Sequence, residues 1–347
     1  MKDAVRLYLP GFRGIVNFME ARRLGTLSVG AIGLGCMGMS EFYGARDDAV
    51  SLQVLARALE RGVTLFDTAD MYGSGHNEEL LGRFLREHPG SREKLTLASK
   101  FGIRRMPGEY KRTIDNSPEY IRSACEASLK RLGVEAIDLY YVHRLETGRP
   151  VEETVAFLAA LVKEGKIRAI GLSEVSAATL EKAHAVHPVA AVQSEYSLWS
   201  RGPEKDGVLA TCKRLGIGFV AYSPLGRGFL TGTVNMDALP ANDFRTILPR
   251  FQRARMDENT RRLLFVRELA RIHSATPAQV ALAWVLSRKW GIVPIPGTKK
   301  LKYLEENTAA EKVKLTQAQI AGLEEAFPCN ADYGARYTPE GMQGIGL

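Results

Sequence analysis

The chain has 347 residues, of which 45% are hydrophobic and 25% are charged, a composition typical of a globular protein with a substantial core. No run approaches the roughly 18 apolar residues that a membrane span requires, and the N-terminus lacks the continuous apolar segment of a signal peptide. The net charge is +8, but acidic and basic residues alternate, which argues against a nucleic-acid partner. We therefore expect a cytoplasmic protein without a membrane or nucleic-acid partner.

Four cysteines are far apart in the sequence and have no spacing typical of metal ligands: Cys36, Cys125, Cys212 and Cys329. This pattern indicates reduced thiols in a cytosolic protein rather than a disulfide framework. We predict no metal site.

The N-terminal residues 1–22 are predicted to be an extension outside the core, because Pro10, Gly11 and Gly14 interrupt them. A β-hairpin follows in the sequence RRLGTLSVGAIGLG. Eight short apolar runs then predict strands, each separated from the next by a segment of helical periodicity. In chain order they are Ala31–Leu34, Val63–Phe66, Leu95–Ser99, Ile137–Val142, Ile167–Gly171, Ala190–Gln193, Gly218–Tyr222 and Ile292–Ile295.

The segments between these strands carry helix start and stop signals. One helix is predicted over 47–62, where the apolar residues have helical spacing. Another begins with Ser117 as N-cap and Pro118 at its first position, and it ends at Gly133. Regular alternation of strands and helices predicts parallel pairing of the strands.

Eight such units predict an α/β fold of the (β/α)₈ barrel type over residues 23–327. A long loop, 226–258, follows the seventh strand, and we expect the tail, 328–347, to lie over the barrel mouth. The alternative is an open dinucleotide-binding sheet, because residues 33–38 form a formal GxGxxG motif. No helix begins at that motif, so we reject this alternative.

Polar and ionisable residues follow the predicted strands, and the active sites of such barrels lie at the C-terminal strand ends. Tyrosine is a poor proton donor at neutral pH, but a nearby lysine lowers its pKa, and a buried lysine needs a carboxylate partner. A tyrosine, a lysine, an aspartate and a histidine together therefore suggest a proton donor for a carbonyl oxygen. None of them reduces carbon, so a cofactor must supply the hydride. The strand-end residues are Gly35, Cys36 and Met37, then Asp67, Lys100, His143, Ser173, Glu174, Gln193, Tyr222, Ser223, Pro224, Pro296, Gly297 and Thr298.

These residues lie within motifs that resemble the aldo-keto reductases, in particular the bacterial, yeast and plant branch with GLGCMGMS and YYxHR. The resemblance extends from about Arg23 to Lys312. Its motifs, in the order expected for that family, are FDTADMYGSGHNEELLG, LASKFG, DLYYVHR, IRAIGLS, VQSEYSLWSR, AYSPLGRGFLTG and IPGTKKLKYLEEN.

The resemblance implies an NADPH-dependent reductase of aldehydes or ketones with a catalytic tetrad of Asp67, Tyr72, Lys100 and His143. Tyr72 would be the general acid, Lys100 would lower its pKa, Asp67 would hold Lys100, and His143 would orient the carbonyl.

For NADPH/NADP+, the resemblance assigns one group of residues to each part of the molecule. Ser173 and Gln193 would bind the nicotinamide carboxamide, and Tyr222 would stack on its ring. Ser223, Leu225, Gly226 and Gly228 would bind the pyrophosphate through their backbone amides. Gly297, Thr298 and Lys299 would bind the 2′-phosphate, and Glu306 and Asn307 the adenine. The other predicted cofactor contacts are Gly35, Cys36, Met37, Glu174, Pro224 and Pro296.

Glu174 departs from the family pattern, in which many relatives carry asparagine. A carboxylate accepts a hydrogen bond from the carboxamide NH₂ but cannot donate one to its oxygen. The segments 243–255 and 332–342 are expected to shape the substrate pocket and to become ordered when ligand binds.

Two alternatives from other classes stay open at this stage. In one, the barrel is an NADPH-binding regulatory or redox-sensing subunit with slow turnover. In the other, Lys100 is a Schiff-base nucleophile. The partner we expect is a small carbonyl compound, and a homo-oligomer is possible; the sequence does not identify the physiological carbonyl.

Overall fold

The computed structural model describes residues 19–106, 111–240, 243–288 and 290–347. Eight of its strands form one parallel sheet, in the order β12-β11-β10-β9-β8-β5-β4-β3. The two edges of this sheet meet where Gly35 forms a parallel bridge with Gly297 and the Gly33 N–H donates to the Pro294 carbonyl at 2.9 Å. The predicted (β/α)₈ barrel is confirmed. The strands are β1 (Ala21–Leu24), β2 (Leu27–Gly30), β3 (Leu34–Gly35), β4 (Leu65–Asp67), β5 (Thr96–Phe101), β6 (Ile103–Arg105), β7 (Arg112–Ile114), β8 (Leu139–Val142), β9 (Ile170–Ser173), β10 (Val189–Glu195), β11 (Gly218–Tyr222) and β12 (Ile292–Pro294).

Helices follow most strands of the barrel, and their ends have the predicted caps. The Ser117 hydroxyl accepts from the Tyr120 N–H at 3.4 Å, and Gly133 ends that helix with a φ of 66°. None of the helices in the described ranges is long and apolar enough to cross a membrane. They are α1 (Asp48–Glu60), α2 (His76–Glu87), α3 (Pro118–Leu132), α4 (Val151–Lys163), α5 (Ala177–Val186), α6 (Gly202–Lys205), α7 (Val208–Leu215), α8 (Arg253–Ile272), α9 (Pro277–Leu286), α10 (Leu301–Ala309) and α11 (Gln317–Ala326).

The N-terminal hairpin, β1–β2, closes the lower end of the barrel. Leu24 lies so close to the start of β11 that a Cβ on Gly218 would be 2.4 Å from a Leu24 methyl carbon. Apolar side chains fill the interior above it, among them Leu65, Leu139 and Val220. The open end is therefore the one at which the strands end, and the polar residues singled out in the sequence lie there.

Two details of the sequence prediction differ from the structure. The predicted first strand, Ala31–Leu34, is wrong, because β3 is Leu34–Gly35. Ala31 and Ile32 are buried by packing against α9 rather than by pairing in the barrel. The hairpin already begins at Ala21, within the range assigned to the extension, and residues 1–18 of that range lie outside the described residues.

Two long segments cover the mouth. The connection after β11 contains short 3₁₀ turns, of which Phe244–Ile247 and Pro249–Phe251 follow the undescribed residues 241–242. The tail crosses the mouth from the other side, where the Gly346 N–H donates to the Glu174 carbonyl at 2.7 Å. Both segments are therefore in position to form walls around the C-terminal strand ends.

The contact between α2 and α3 yields a stability prediction. A Cβ on Gly82 of α2 would lie 2.3 Å from the Arg131 carbonyl oxygen, whereas on Gly322 of α11 it would meet only the half-exposed ring of Phe265. Since overpacking against backbone typically costs about 1–3 kcal/mol, we expect Gly82→Ala to lower the free energy of unfolding by about that amount. Gly322→Ala, the matched control, should leave it unchanged or raise it by up to about 1 kcal/mol through helix propensity. Urea unfolding of both variants measures the difference, and equal effects would contradict this description of the α2–α3 contact.

Candidate functional site

A buried lysine occupies the centre of the barrel mouth. Lys100 belongs to β5, where it follows Ala98 on the inward face, and its side chain is fully buried. Its Nζ lies 2.5 Å from Asp67 Oδ1, 2.8 Å from the Thr68 carbonyl oxygen and 3.2 Å from the Tyr72 hydroxyl. The three donor positions of the ammonium thus have three acceptors.

The carboxylate of Asp67 is also fully engaged. It ends β4, next to β5 in the sheet, so that its side chain reaches the ammonium directly. Its second oxygen, Oδ2, accepts from Gln193 Nε2 at 2.7 Å. Burial lowers the pKa of Lys100, but Asp67 and Tyr72 together outweigh burial and raise it above its ordinary value. The lysine therefore remains an ammonium at neutral pH.

The Tyr72 hydroxyl faces this ammonium because a tight turn follows β4. Gly73, Ser74 and Gly75 all have positive φ, which reverses the chain immediately after Tyr72. Burial raises the pKa of Tyr72 to about 12, and Lys100 opposes this by lowering it. The predicted effect of Lys100 has the expected direction, but burial outweighs it, so the phenol of the free protein is less acidic than an exposed tyrosine.

His143 follows β8 and lies beside Tyr72. The two rings are nearly perpendicular, at 87°, with centroids 5.9 Å apart. Burial, followed by the charges of Arg144 and Lys100, lowers the pKa of His143 well below its ordinary value. Its Nδ1 is buried without a hydrogen-bond partner among the described residues. The ring is thus a neutral imidazole with an unused polar atom at the mouth.

The residues predicted to contact the nicotinamide lie together at the ends of β9, β10 and β11. Ser173 Oγ accepts from Arg144 Nη1 at 3.1 Å, and Gln193 bonds to Asp67 as described above. Tyr222, the last residue of β11, is half-buried. Sequence reasoning missed Arg144, although it directly follows His143 in the YYVHR motif.

The carboxylate of Glu174, a predicted cofactor contact, is bound by the tail. Its two carboxylate oxygens accept from the two terminal nitrogens of Arg336 in the tail, at 2.9 Å and 2.8 Å. Although burial alone would raise the pKa of Glu174, Arg336 outweighs burial and lowers it. Nothing in the sequence around Arg336 identified it as the partner of Glu174.

The turn after β11 contains the residues predicted to bind the pyrophosphate. Ser223, Gly226, Arg227 and Gly228 all have positive φ, which bends the chain sharply at the end of the strand. The N–H groups of Gly226 and Gly228 donate to the Ser223 and Leu225 carbonyls, at 2.8 Å and 3.1 Å. The sequence predicted that the amides of Gly226 and Gly228 donate to the pyrophosphate. In the structure, both amides are instead used within their own turn. Pro224 lies within this turn and has no N–H.

The segment after β12 faces the loop after β3. Lys299 Nζ donates to the Ala45 carbonyl at 2.6 Å and is exposed, whereas the Thr298 hydroxyl accepts from the Lys300 N–H at 3.1 Å. Burial and then Lys300 lower the pKa of Lys299. A bound phosphate could replace the Ala45 carbonyl as partner of this lysine. Pro296 and Gly297 precede it at the closure of the barrel.

Two further predicted contacts, Cys36 and Glu306, form hydrogen bonds within the protein itself. The Cys36 thiol is fully buried, its N–H donates to the Asp67 carbonyl at 2.9 Å, and its carbonyl accepts from Asn77 Nδ2 at 2.9 Å. Its neighbours Gly35 and Met37 are half-buried at the mouth. Glu306 accepts from the Thr276 hydroxyl at 2.7 Å, and Asn307 is buried beside it. The polar groups of Cys36 are therefore committed within the fold.

The two segments predicted to shape the substrate pocket both reach the mouth. Phe244 packs against Phe42, with ring centroids 5.1 Å apart. In the tail, the Tyr337 hydroxyl lies 3.0 Å from the Tyr222 hydroxyl. Whether either segment becomes ordered on ligand binding stays a prediction.

This chain is similar to a known protein family in sequence and to solved structures in fold. The family model described as Aldo/keto reductase family matches residues 31–327. A probable aldo-keto reductase 1 from Glycine max is 47% identical over 320 residues, which cover 91% of this chain and 91% of the relative. An aldo-keto reductase from Schizosaccharomyces pombe, yakc [NADP(+)], is 44% identical over 324 residues, or 92% of this chain and 95% of the relative.

Solved structures are similar over the same range. The glycerol dehydrogenase AKR11B4 from Gluconobacter oxydans has a TM-score of 0.80 at 30% identity, covering 90% of this chain and 96% of that chain. A thermostable aldo-keto reductase in complex with the inhibitor epalrestat has a TM-score of 0.70 at 31% identity, covering 89% of this chain and 100% of that chain.

The buried, neutral state of His143 makes a pH-dependent contribution to stability. The pKa of His143 is lowered in the folded chain. Below about pH 6.5 the unfolded chain therefore binds a proton at this residue, whereas the folded chain does not. Wild type should therefore lose stability relative to His143→Gln as pH falls, by up to about 1.4 kcal/mol per pH unit. Urea unfolding of both proteins at about pH 7.5 and about pH 5.5 measures this. A difference that is the same at both pH values would contradict the neutral, buried imidazole.

Proposed function

The chain belongs to the aldo/keto reductase family, and from that premise we propose that it reduces aldehydes or ketones to alcohols with Tyr72 as proton donor. NADPH, when bound, supplies the hydride. The observation that carries the proposal is the position of Lys100 Nζ, in contact with both Asp67 Oδ1 and the Tyr72 hydroxyl. Phenol, ammonium and carboxylate in contact form a proton donor with its electrostatic support.

Tyr72 gives its proton to the carbonyl oxygen as negative charge develops there. The phenolate that remains lies 3.2 Å from a permanent ammonium, so its charge is stabilised when it forms. The neutral ring of His143 lies beside the ring of Tyr72, and it orients the carbonyl by a hydrogen bond. Because burial keeps Tyr72 protonated in the free protein, the donor is ready over the whole neutral range.

The residues at the strand ends form a suitable site for NADPH. Ser173 and Gln193 would hold the carboxamide, Tyr222 would stack on the nicotinamide ring, and the turn after Tyr222 would lie beside the phosphates. Lys299 would bind the 2′-phosphate. The NADP(+) in the printed name of the Schizosaccharomyces pombe relative supports this choice of nucleotide.

Lys100 is poorly suited to the alternative role of Schiff-base nucleophile. That chemistry needs a neutral amine, usually obtained by lowering the lysine pKa in an apolar pocket. Here the pKa of Lys100 is raised, and its three acceptors hold it as an ammonium.

Removal of the proton donor tests the proposal directly. We expect Tyr72→Phe to reduce the rate of carbonyl reduction by about 10²–10⁴-fold, the usual contribution of general acid catalysis, with NADPH affinity retained. The measurement is turnover of a panel of aldehydes and ketones with NADPH, together with nucleotide binding to both proteins. A variant that keeps more than half of the wild-type kcat would rule out Tyr72 as the acid. Tight NADPH binding without turnover of any carbonyl would favour the regulatory alternative.

The proposed preference for NADPH over NADH can be tested at Lys299. NADPH and NADH differ only in the 2′-phosphate, so a preference has to come from groups that meet it. A charge-assisted hydrogen bond contributes about 1.5–3 kcal/mol, so Lys299→Ala should weaken NADPH binding by about 10–150-fold and leave NADH nearly unchanged. Lys302→Ala, on α10 beyond the proposed contact, is the control. Equal affinity of wild type for the two nucleotides would refute the assignment of Lys299.

A further inference from the structure

The carboxylate of Glu174 is committed to the tail. Its Oε1 accepts from Arg336 Nη1 at 2.9 Å and from the Glu195 N–H at 2.9 Å, and its Oε2 accepts from Arg336 Nη2 at 2.8 Å. Paired guanidinium–carboxylate bonds of this geometry are among the strongest in proteins. A side chain at the end of β9, where the cofactor is expected, thus serves as one attachment point of residues 333–347.

The backbone of Glu174 is fixed from both sides. Its φ of 56° is unusual for a residue other than glycine and persists only where the surroundings hold it. The Glu174 N–H donates to the Gln193 carbonyl at 3.0 Å, and its own carbonyl accepts from the Gly346 N–H at 2.7 Å. The carboxylate is therefore presented to the tail in one fixed direction.

The ion pair also fixes the next residue of the tail, Tyr337. The Arg336 carbonyl accepts from Arg227 Nη1 at 2.6 Å, and the Arg227 guanidinium lies 4.5 Å from the centre of the Tyr337 ring. Arg227 is itself buried and paired with Glu195. Tyr337 thus directly follows the residue that pairs with Glu174, and its ring lies beside the Arg227 guanidinium.

Tyr337 reaches the ring that is expected to carry the nicotinamide. Its hydroxyl lies 3.0 Å from the hydroxyl of Tyr222, the last residue of β11. We propose that Glu174, Arg336 and Tyr337 are positioning residues for the nicotinamide end of the cofactor, acting through Tyr222. The inference rests on the proposed function, because it takes Tyr222 as the stacking partner.

This role differs from general stabilisation of the tail, and the chain provides a control for the difference. Asp332, at the start of the same tail, pairs with Arg255 of α8 at 2.8 Å. Side chains of this second pair are 43% and 72% exposed, and exposed pairs contribute little to stability. Arg336→Gln and Arg255→Gln therefore each remove one ion pair of the tail, and only the first affects the nicotinamide site.

Two measurements that need no turnover test the proposal. The first is the rate at which chymotrypsin cleaves the tail of the folded protein, which reports the fraction of undocked tail. The second is the affinity for NADPH compared with adenosine 2′,5′-bisphosphate, a fragment that lacks the nicotinamide. If Arg336→Gln leaves about a tenth of the molecules with a docked tail, the Kd for NADPH should rise about 10-fold. The Kd of Arg336→Gln for the fragment should stay within about 2-fold of the wild-type value. For Arg255→Gln, the Kd values for NADPH and for the fragment should both stay within about 2-fold of wild type.

A second variant keeps the ion pair and removes only the hydroxyl contact. Tyr337→Phe should leave the cleavage rate unchanged and weaken NADPH binding about 2–10-fold, the usual effect of one hydrogen bond. Equal losses for NADPH and the fragment, or faster cleavage of Arg336→Gln with unchanged NADPH affinity, would overturn the positioning role. Wild type that binds the fragment but not NADPH with measurable affinity would instead refute the assignment of the cofactor, and the positioning role with it.

Discussion

An ammonium group inside a barrel is the constraint on which the rest of the site depends. Moving a charge from water into a protein interior costs several kcal/mol unless acceptors surround it, and Lys100 is fully buried. Its acceptors come from β4 and from the turn that follows, which explains why that strand ends on Asp67. The same requirement brings a phenol to the third donor position of the lysine. A charge that would otherwise destabilise the fold thus creates the most polar point of the mouth.

Opposing effects on the Tyr72 phenol decide how such a site can work. Burial raises the pKa of Tyr72 and the ammonium lowers it, with burial the larger effect. In the proposed function, a neutral donor is thus kept in place, and the lysine would act mainly when charge appears on the phenol oxygen. Stabilisation that operates at the moment of charge development is the kind that accelerates a reaction. The neutral state of His143 fits the same scheme, because burial and the positive charges of Arg144 and Lys100 disfavour an imidazolium at this position.

Around this centre, buried ion pairs attach the connection after β11 and the tail to the ends of the barrel strands. Glu195 of β10 pairs with Arg227 from the connection after β11 and with Arg250 further along it. Glu174 and Arg336 do the same for the tail. Paired charges have a defined geometry, so they fix the position of a long loop over the barrel. Apolar contacts are not directional and would allow several positions of the loop. The connection and the tail are thus positioned over the mouth by charged contacts to Glu195 and Glu174.

The sequence predicted the fold and the strand-end residues because both follow local rules. Alternating apolar runs and capped helices predicted the barrel, and polar residues directly after strands predicted which side chains meet at the mouth. It failed where the outcome depends on distant partners. Ala31 and Ile32 belong to an apolar run, which predicted a strand. In the structure they are buried against α9 instead.

Long-range contacts explain the other differences from the sequence prediction. The sequence did not reveal that the carboxylate of Glu174 pairs with Arg336, because the two residues lie 162 positions apart in the chain. The net shift of Tyr72 required a balance of burial against charge, which no motif expresses. For the same reason, the sequence did not reveal that the amides of Gly226 and Gly228 are used within their own turn.

The central claim is that Lys100 acts on the reaction through Tyr72, and a double-mutant cycle on the rate of hydride transfer tests it most directly. The rate would be measured in a single turnover with saturating NADPH for wild type, Lys100→Met, Tyr72→Phe and the double variant. If the lysine acts through the phenol, each single variant is slow, and the double variant is about as slow as Tyr72→Phe alone. Losses that multiply in the double variant would show that the two residues act independently, which would contradict the account.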